Sequence, residues 1–180
     1  MNPHLCLGCL LLLGACSPRF SNMQTFPISH DTYPRLALIT AHQHNRIALI
    51  AQDNSLIVST IPIGALSEYV AEAILSPDGD WLAVISVGEG HPILDVYAVH
   101  RLVEAIETDD PELGPVRSVN PYPGVLADLR WTDEGVLMFS ANVNFDCEED
   151  RELGWPCLTP DDAPIVWQYD PATDRLYRSE

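Results

Sequence analysis

Short runs rich in β-branched and aromatic residues recur along almost the whole chain. They fall at residues 36–41, 47–51, 56–61, 71–75, 81–87, 93–99, 125–131, 136–141, 165–169 and 175–178, with turn-forming residues between them. Runs this short, closed off by Gly, Pro, Asn and Asp, read as β-strands and leave no room for a helical bundle. The pattern therefore predicts an all-β domain of antiparallel sheets. One interruption, residues 100–107, reads as a short helix, stopped by Asp109, Asp110 and Pro111.

One strand–turn–strand unit is echoed within the chain. Residues 74–85 contain Ser76-Pro77-Asp78-Gly79 followed by Trp81-Leu82-Ala83. Pro77 presets φ at the second turn position, Asp78 suits the third, and Gly79 takes the place where φ is often positive. Residues 129–139 repeat the pattern around Thr132-Asp133-Glu134-Gly135, and residues 39–50 are a worn earlier copy. The uneven spacing is explained if residues 100–118 are an insertion. Ser76-Pro77-Asp78-Gly79 with Trp81-Leu82-Ala83 resembles the repeat of TolB-type β-propellers, in which each blade is a four-stranded sheet whose first hairpin carries this turn. Residues 165–176 resemble the outer hairpin of such a blade. The resemblance implies antiparallel propeller-like blades, about three in number and so an incomplete or degenerate propeller, with a β-sandwich as the alternative. Propellers usually close with four to eight blades. Unpaired strand edges invite association, so a homodimer completing a six-bladed ring is one outcome.

The N-terminus carries a different message. Residues 5–13 form an apolar run of about nine residues, too short to span a membrane (roughly 20) but right for the core of a secretory signal. Leu13-Gly14-Ala15-Cys16 follows directly and resembles the lipobox of bacterial lipoproteins. The resemblance implies that residues 1–15 are removed as a signal peptide and that Cys16 becomes the lipidated first residue. Two or more acyl chains anchor a protein stably where one does not. The resemblance further implies that Ser17, rather than Asp, after the cysteine favours the outer membrane. Residues 16–34, with Pro18, Pro27 and Pro34 among polar residues, read as a tether, and residues 35–180 as the β domain. The expected location is the periplasmic face of the cell envelope, with the lipid anchor as the only tie to the membrane.

Charge narrows the partners. The net charge is −17, and all nine basic residues are Arg. Such a surface excludes nucleic acid, whose phosphates need a basic face, and keeps the body of the protein off anionic lipid. Of five cysteines, Cys6 and Cys9 lie in the signal and Cys16 takes the lipid. Cys147 and Cys157 remain, an even pair expected to form a disulfide in an oxidising compartment and to close a polar loop.

Few residues suggest chemistry. Asn142, Asn144, Asp146, Glu148 and Asp150 alternate with other residues and offer the oxygen ligands Ca²⁺ prefers. The bland alternative is a solvated acidic loop tied by Cys147–Cys157. Cys147 and Leu153 stand where an EF-hand needs Gly and Glu, so that motif is excluded. His42 and His44 share one turn, with no further ligand indicated. Asp109, Asp110 and Glu112 read as surface loop. Gly88-Glu89-Gly90 lacks the third glycine of a dinucleotide loop, and no Gly-x-Ser-x-Gly elbow, His-Glu-x-x-His helix or phosphate loop is present. Trp81, Trp131, Trp155 and Trp167 read as packing residues. The sequence thus points to a non-enzymatic envelope lipoprotein that binds or scaffolds a protein partner. The alternative is a calcium- or small-ligand-binding periplasmic module, and a hydrolase ranks behind both.

Overall fold

The computed structural model describes residues 22–41, 44–64, 69–88, 90–110, 113–150 and 155–179. Residues 1–21, including the segment expected to be a signal and Cys16, lie outside them, as do His42 and Glu112. The described chain is built from three four-stranded antiparallel sheets, each a meander with strands in sequence order except for one inserted hairpin. The fold is all-β, as the short β-rich runs predict.

The first sheet contains β1 (Asn22–Pro27), β2 (Arg35–Ala41), β3 (His44–Ile50) and β4 (Leu56–Pro62). The second contains β5 (Tyr69–Leu75), β6 (Trp81–Gly88), β7 (His91–Ala98) and, after helix α1 (Val99–Thr108), β8 (Arg117–Val119). The third is formed by β9 (Leu126–Trp131), β10 (Leu137–Ala141), β13 (Ile165–Asp170) and β14 (Arg175–Arg178). A separate two-stranded hairpin, β11 (Val143–Asp150) with β12 (Trp155–Leu158), interrupts the third sheet between its second and third strands.

Alternation along the strands explains the stacking. In a strand, successive side chains point to opposite faces. On β6, Leu82 and Val84 enter one core with Leu36, Leu38, Ile47 and Leu49 of the first sheet, while Ala83 and Ile85 enter another with Phe139, Trp167 and Tyr169 of the third. The second sheet is thus apolar on both faces and lies between two cores. First strands of successive sheets are also tied together. Gln24 Nε2 donates to the Ala73 carbonyl at 2.8 Å, and Trp131 Nε1 to the Ile74 carbonyl at 3.3 Å. The same strand-to-strand relation recurs, since β3 touches β5 as β7 touches β9.

The two echoed turns adopt one geometry. Gly79 N–H donates to the Ser76 carbonyl at 3.0 Å, and Gly135 N–H to the Thr132 carbonyl at 3.1 Å. Both glycines have left-handed φ, +82° and +78°, which a side chain would strain. The hydroxyls of Ser76 and Thr132 accept from the backbone N–H of Trp81 and Val136 at 2.9 and 3.2 Å. A Cβ at Gly135 would lie 3.6 Å from Asp78 Oδ2, so the two turns sit side by side. The worn copy at residues 39–50 is out of phase with them. It forms the β2–β3 hairpin, the second of its sheet, whereas the other two are first hairpins.

The expected boundaries need three further corrections. Within the tether expected at 16–34, Asn22–Pro27 pairs with β2 over all six residues, with Phe26 in the core, so the sheet begins before residue 35. Pro27 is tolerated because β1 is an edge strand. The proposed insertion at 100–118 is narrower than expected. Its helix lies between the third and fourth strands of the second sheet, and residues 117–119 are that fourth strand. Val99, Leu102, Val103 and Ile106 place one helix face in the first core. The helix ends at Asp109, left-handed at φ 52°, whose N–H bonds the Ala105 carbonyl. Finally, the segment holding both cysteines is not a loop but the β11–β12 hairpin.

Candidate functional site

The inserted hairpin is the feature of the fold that the sheet stack does not require. Its root is fixed by apolar packing. Val143 is fully buried, and Phe145 meets Trp167 edge-on at 5.0 Å and Phe139 at 6.2 Å between ring centroids. The Trp167 indole N–H donates to the Val143 carbonyl at 3.2 Å.

Asn142 fastens the same root from the other side. Its Oδ1 accepts from Val125 N–H at 2.7 Å, and its Nδ2 donates to Asp162 Oδ1 at 3.3 Å. Its carbonyl accepts from the backbone N–H of Thr159 at 2.9 Å and from the Thr159 hydroxyl at 3.2 Å. One side chain and one carbonyl thereby join the loop before β9, the end of β12 and the 3-10 turn at Pro160–Asp162. Gly124 permits this approach, because a Cβ there would collide with both Asn142 Oδ1 and Val143 Cγ1.

Beyond the root the ladder is irregular. Register shifts separate Asn144 from Glu148 and Glu148 from Asp150. Cys147 and Cys157 are joined by a disulfide across this stretch, with their Cα atoms 5.5 Å apart, the usual spacing. The covalent bridge supplies the closure that the broken ladder lacks.

The residues that offer oxygen ligands for the alternative calcium site are placed as follows. Asn142 is committed to the backbone and to Asp162. Asn144 Oδ1 accepts from Asp146 N–H at 3.1 Å. Asp146 is exposed, and the side chains of Glu148 and Asp150 lie outside the described residues. Among the described residues no group of three or more His, Cys, Asp or Glu side chains is arranged to hold a metal ion.

A cleft of about 280 Å³ runs between the hairpin root and the outer edge of the second sheet, lined by Arg117, Ser118, Val119, Asn120, Phe145, Asp146 and Leu176. Arg117 Nη1 lies 3.6 Å from Asp174 Oδ1, while its Nε is buried without an acceptor. The Tyr169 hydroxyl donates to the same Asp174 oxygen at 3.1 Å, and burial, reinforced by that bond, pushes its pKa up. A second cleft of about 410 Å³ lies between the end of β1 and the Ser76–Gly79 turn.

The sequence reading missed a buried carboxylate. Asp95 is 1% exposed in the middle of β7, where it accepts from the Ser118 hydroxyl at 2.7 Å and from the Tyr97 hydroxyl at 3.5 Å. Gly64 N–H donates to the Tyr97 oxygen at 3.2 Å. Burial, with Asp95 adding to it, raises the Tyr97 pKa. This set ties the segment after β4 to the second sheet. The available signal was a lone acid in the apolar run Ile93-Leu94-Asp95-Val96-Tyr97.

No family model matches the sequence, and no curated protein matches it. Among solved structures the chain is similar to hydrazine synthase of Kuenenia stuttgartiensis at 17% identity and a TM-score of 0.43. The match covers 84% of this chain and 40% of that one, so this chain spans less than half of that protein's. A likeness at this level carries no argument about activity. Among the described residues no helix is long and apolar enough to cross a membrane.

Proposed function

We propose that this chain is an exported, lipid-anchored module of the cell envelope that binds a protein partner through the β11–β12 hairpin and catalyses no reaction of its own. The observation that supports this best is the construction of the hairpin. It is inserted into a sheet that would be complete without it, pinned at its root by Asn142, Phe145 and Trp167, and closed by a disulfide. An element pinned at its root and closed by a disulfide has less conformational entropy to lose when it docks. The Cys147–Cys157 bridge fits an oxidising compartment, and Leu13-Gly14-Ala15-Cys16 supplies the route there and the anchor.

Two measurements test the proposal. Metabolic labelling with a fatty-acid analogue should mark the full chain and not its Cys16→Ala variant. Cross-linking in intact cells, followed by affinity capture and mass spectrometry, should recover a reproducible envelope protein. Replacing residues 144–157 by a short Gly/Ser linker should abolish that capture. Capture unaffected by the replacement would remove the hairpin from the interface, and capture of the chain alone would sink the binding role.

A further inference from the structure

We infer that the cleft beside the hairpin root is a binding subsite for one acylated amino-acid unit with a free carboxylate, the end of an extended peptide, with Arg117 as its anchor. The inference rests on the docking role of the hairpin for the source of that peptide, but the site itself stands on its own geometry.

The chemistry follows from the walls. Arg117 is one of only nine cations in a chain of net charge −17. It projects from the edge strand β8 with one guanidinium nitrogen near Asp174 at 3.6 Å, longer than a direct hydrogen bond. Its Nε is sealed from solvent and has no acceptor. A buried donor without a partner is destabilising and calls for a reason. A guanidinium matches a carboxylate, offering two parallel N–H donors. With one nitrogen committed to a distant carboxylate, the guanidinium can turn toward an incoming carboxylate at small loss.

Asp146 lines the same cleft from the hairpin, and Phe145 and Leu176 give it apolar walls. A dianion such as a phosphate would meet Asp146 and Asp174 against a single Arg, a heavier repulsion than one carboxylate meets there. A terminal peptide residue answers each wall. Its carboxylate faces Arg117, its amide N–H faces the Asp146 carboxylate, and an apolar side chain lies against Phe145 and Leu176. The volume of about 280 Å³ is at or below the roughly 300–1,000 Å³ of small-molecule pockets, so it suits one residue rather than a cofactor. β8 is also the open edge of its sheet, where an arriving strand can extend the ladder.

The test uses N-acetyl-leucine and its amide, N-acetyl-leucinamide, as probes on the purified, 15N-labelled full chain. The acid should give saturable chemical-shift changes at Ser118, Val119, Asn120 and Asp146, in the millimolar range. The amide, which differs only in lacking the carboxylate, should give none or bind at least tenfold more weakly. Arg117→Gln should abolish the response to the acid, and Arg117→Lys, which keeps the charge but not the fork, should weaken it several-fold. Equal responses to acid and amide, no saturable change at these four amides, or an unaltered response in Arg117→Gln would each overturn the inference. The acid–amide comparison needs no variant, so a misfolded substitution does not weaken the test. It needs no partner either. Acid binding without a captured partner would keep the subsite and remove the docking role of the hairpin, whereas a captured partner without acid binding would do the reverse.

Discussion

Ser76 shows how one small side chain sets both a turn and a titration. Its hydroxyl donates to Asp78 Oδ1 at 2.5 Å, and Asp80 N–H donates to the same oxygen at 3.0 Å. These bonds, the hydroxyl first, hold the Asp78 carboxyl below its ordinary value of 3.8. Because the folded value is depressed, the contribution to stability is present above 3.8 and is lost as pH falls through the lower folded value. Ser76→Ala should move the Asp78 pKa upward toward 3.8 and shrink that acid-side loss, which an NMR titration of the carboxyl carbon would show; an unmoved pKa would remove Ser76 as the cause. Glycines differ in what they permit. Gly79→Ala meets no atom within 4 Å and bears only its left-handed φ, a cost of about 1 kcal/mol. Gly124→Ala must displace Asn142 and Val143 and should cost more than twice as much by urea denaturation. The Ser76–Gly79 turn was legible because its signal is local. Asn142 was not, since an amide oxygen can serve a cation or a backbone N–H equally, and the N–H that claims it belongs to Val125, in another part of the chain.

The elements were read most reliably where the apolar pattern alone defines them. β2 to β7, β9, β10, β13, β14 and the helix all fall within a few residues of their expected places. The strands that were missed, β1, β8, β11 and β12, are polar, proline-bearing or only three residues long, and tertiary partners make them strands. For β11 and β12 those partners are Phe145 against Trp167 and the Cys147–Cys157 bridge. Cys147→Ser should therefore destabilise the chain by about 3 kcal/mol in the chain-entropy account, with amide exchange rising in β11 and β12 while the three sheets stay protected. Exchange that rises throughout would show the bridge to be a global fastening. Asn142→Ala should loosen the same hairpin at its root, and to the same extent in calcium as in a chelator. A calcium-dependent difference would return Asn142 to a ligand set.

At the scale of the whole molecule, the second sheet decides how the chain behaves. The first core is closed by Leu82, Val84 and Tyr97 on one face of that sheet, and the other by Ala83, Ile85, Leu94 and Val96 on its opposite face. Neither core can come apart without exposing a face of β6 and β7. The apolar character of these strands was visible in the sequence, interrupted by Ser86 and Asp95, but which sheet would lie on which face was not, because apolarity carries no address. Shared strands make the two cores one cooperative unit. Leu49→Ala, in the first core, and Phe139→Ala, in the other, should each cost about 2–5 kcal/mol, since both side chains are fully buried. Both should lower a single calorimetric transition, and the two effects should add, because the sites share no partner. If Leu49→Ala instead produced an early transition that left the Trp167 environment intact by fluorescence, the sheets would be melting separately. The second sheet would then be a boundary between two units rather than the layer that joins them.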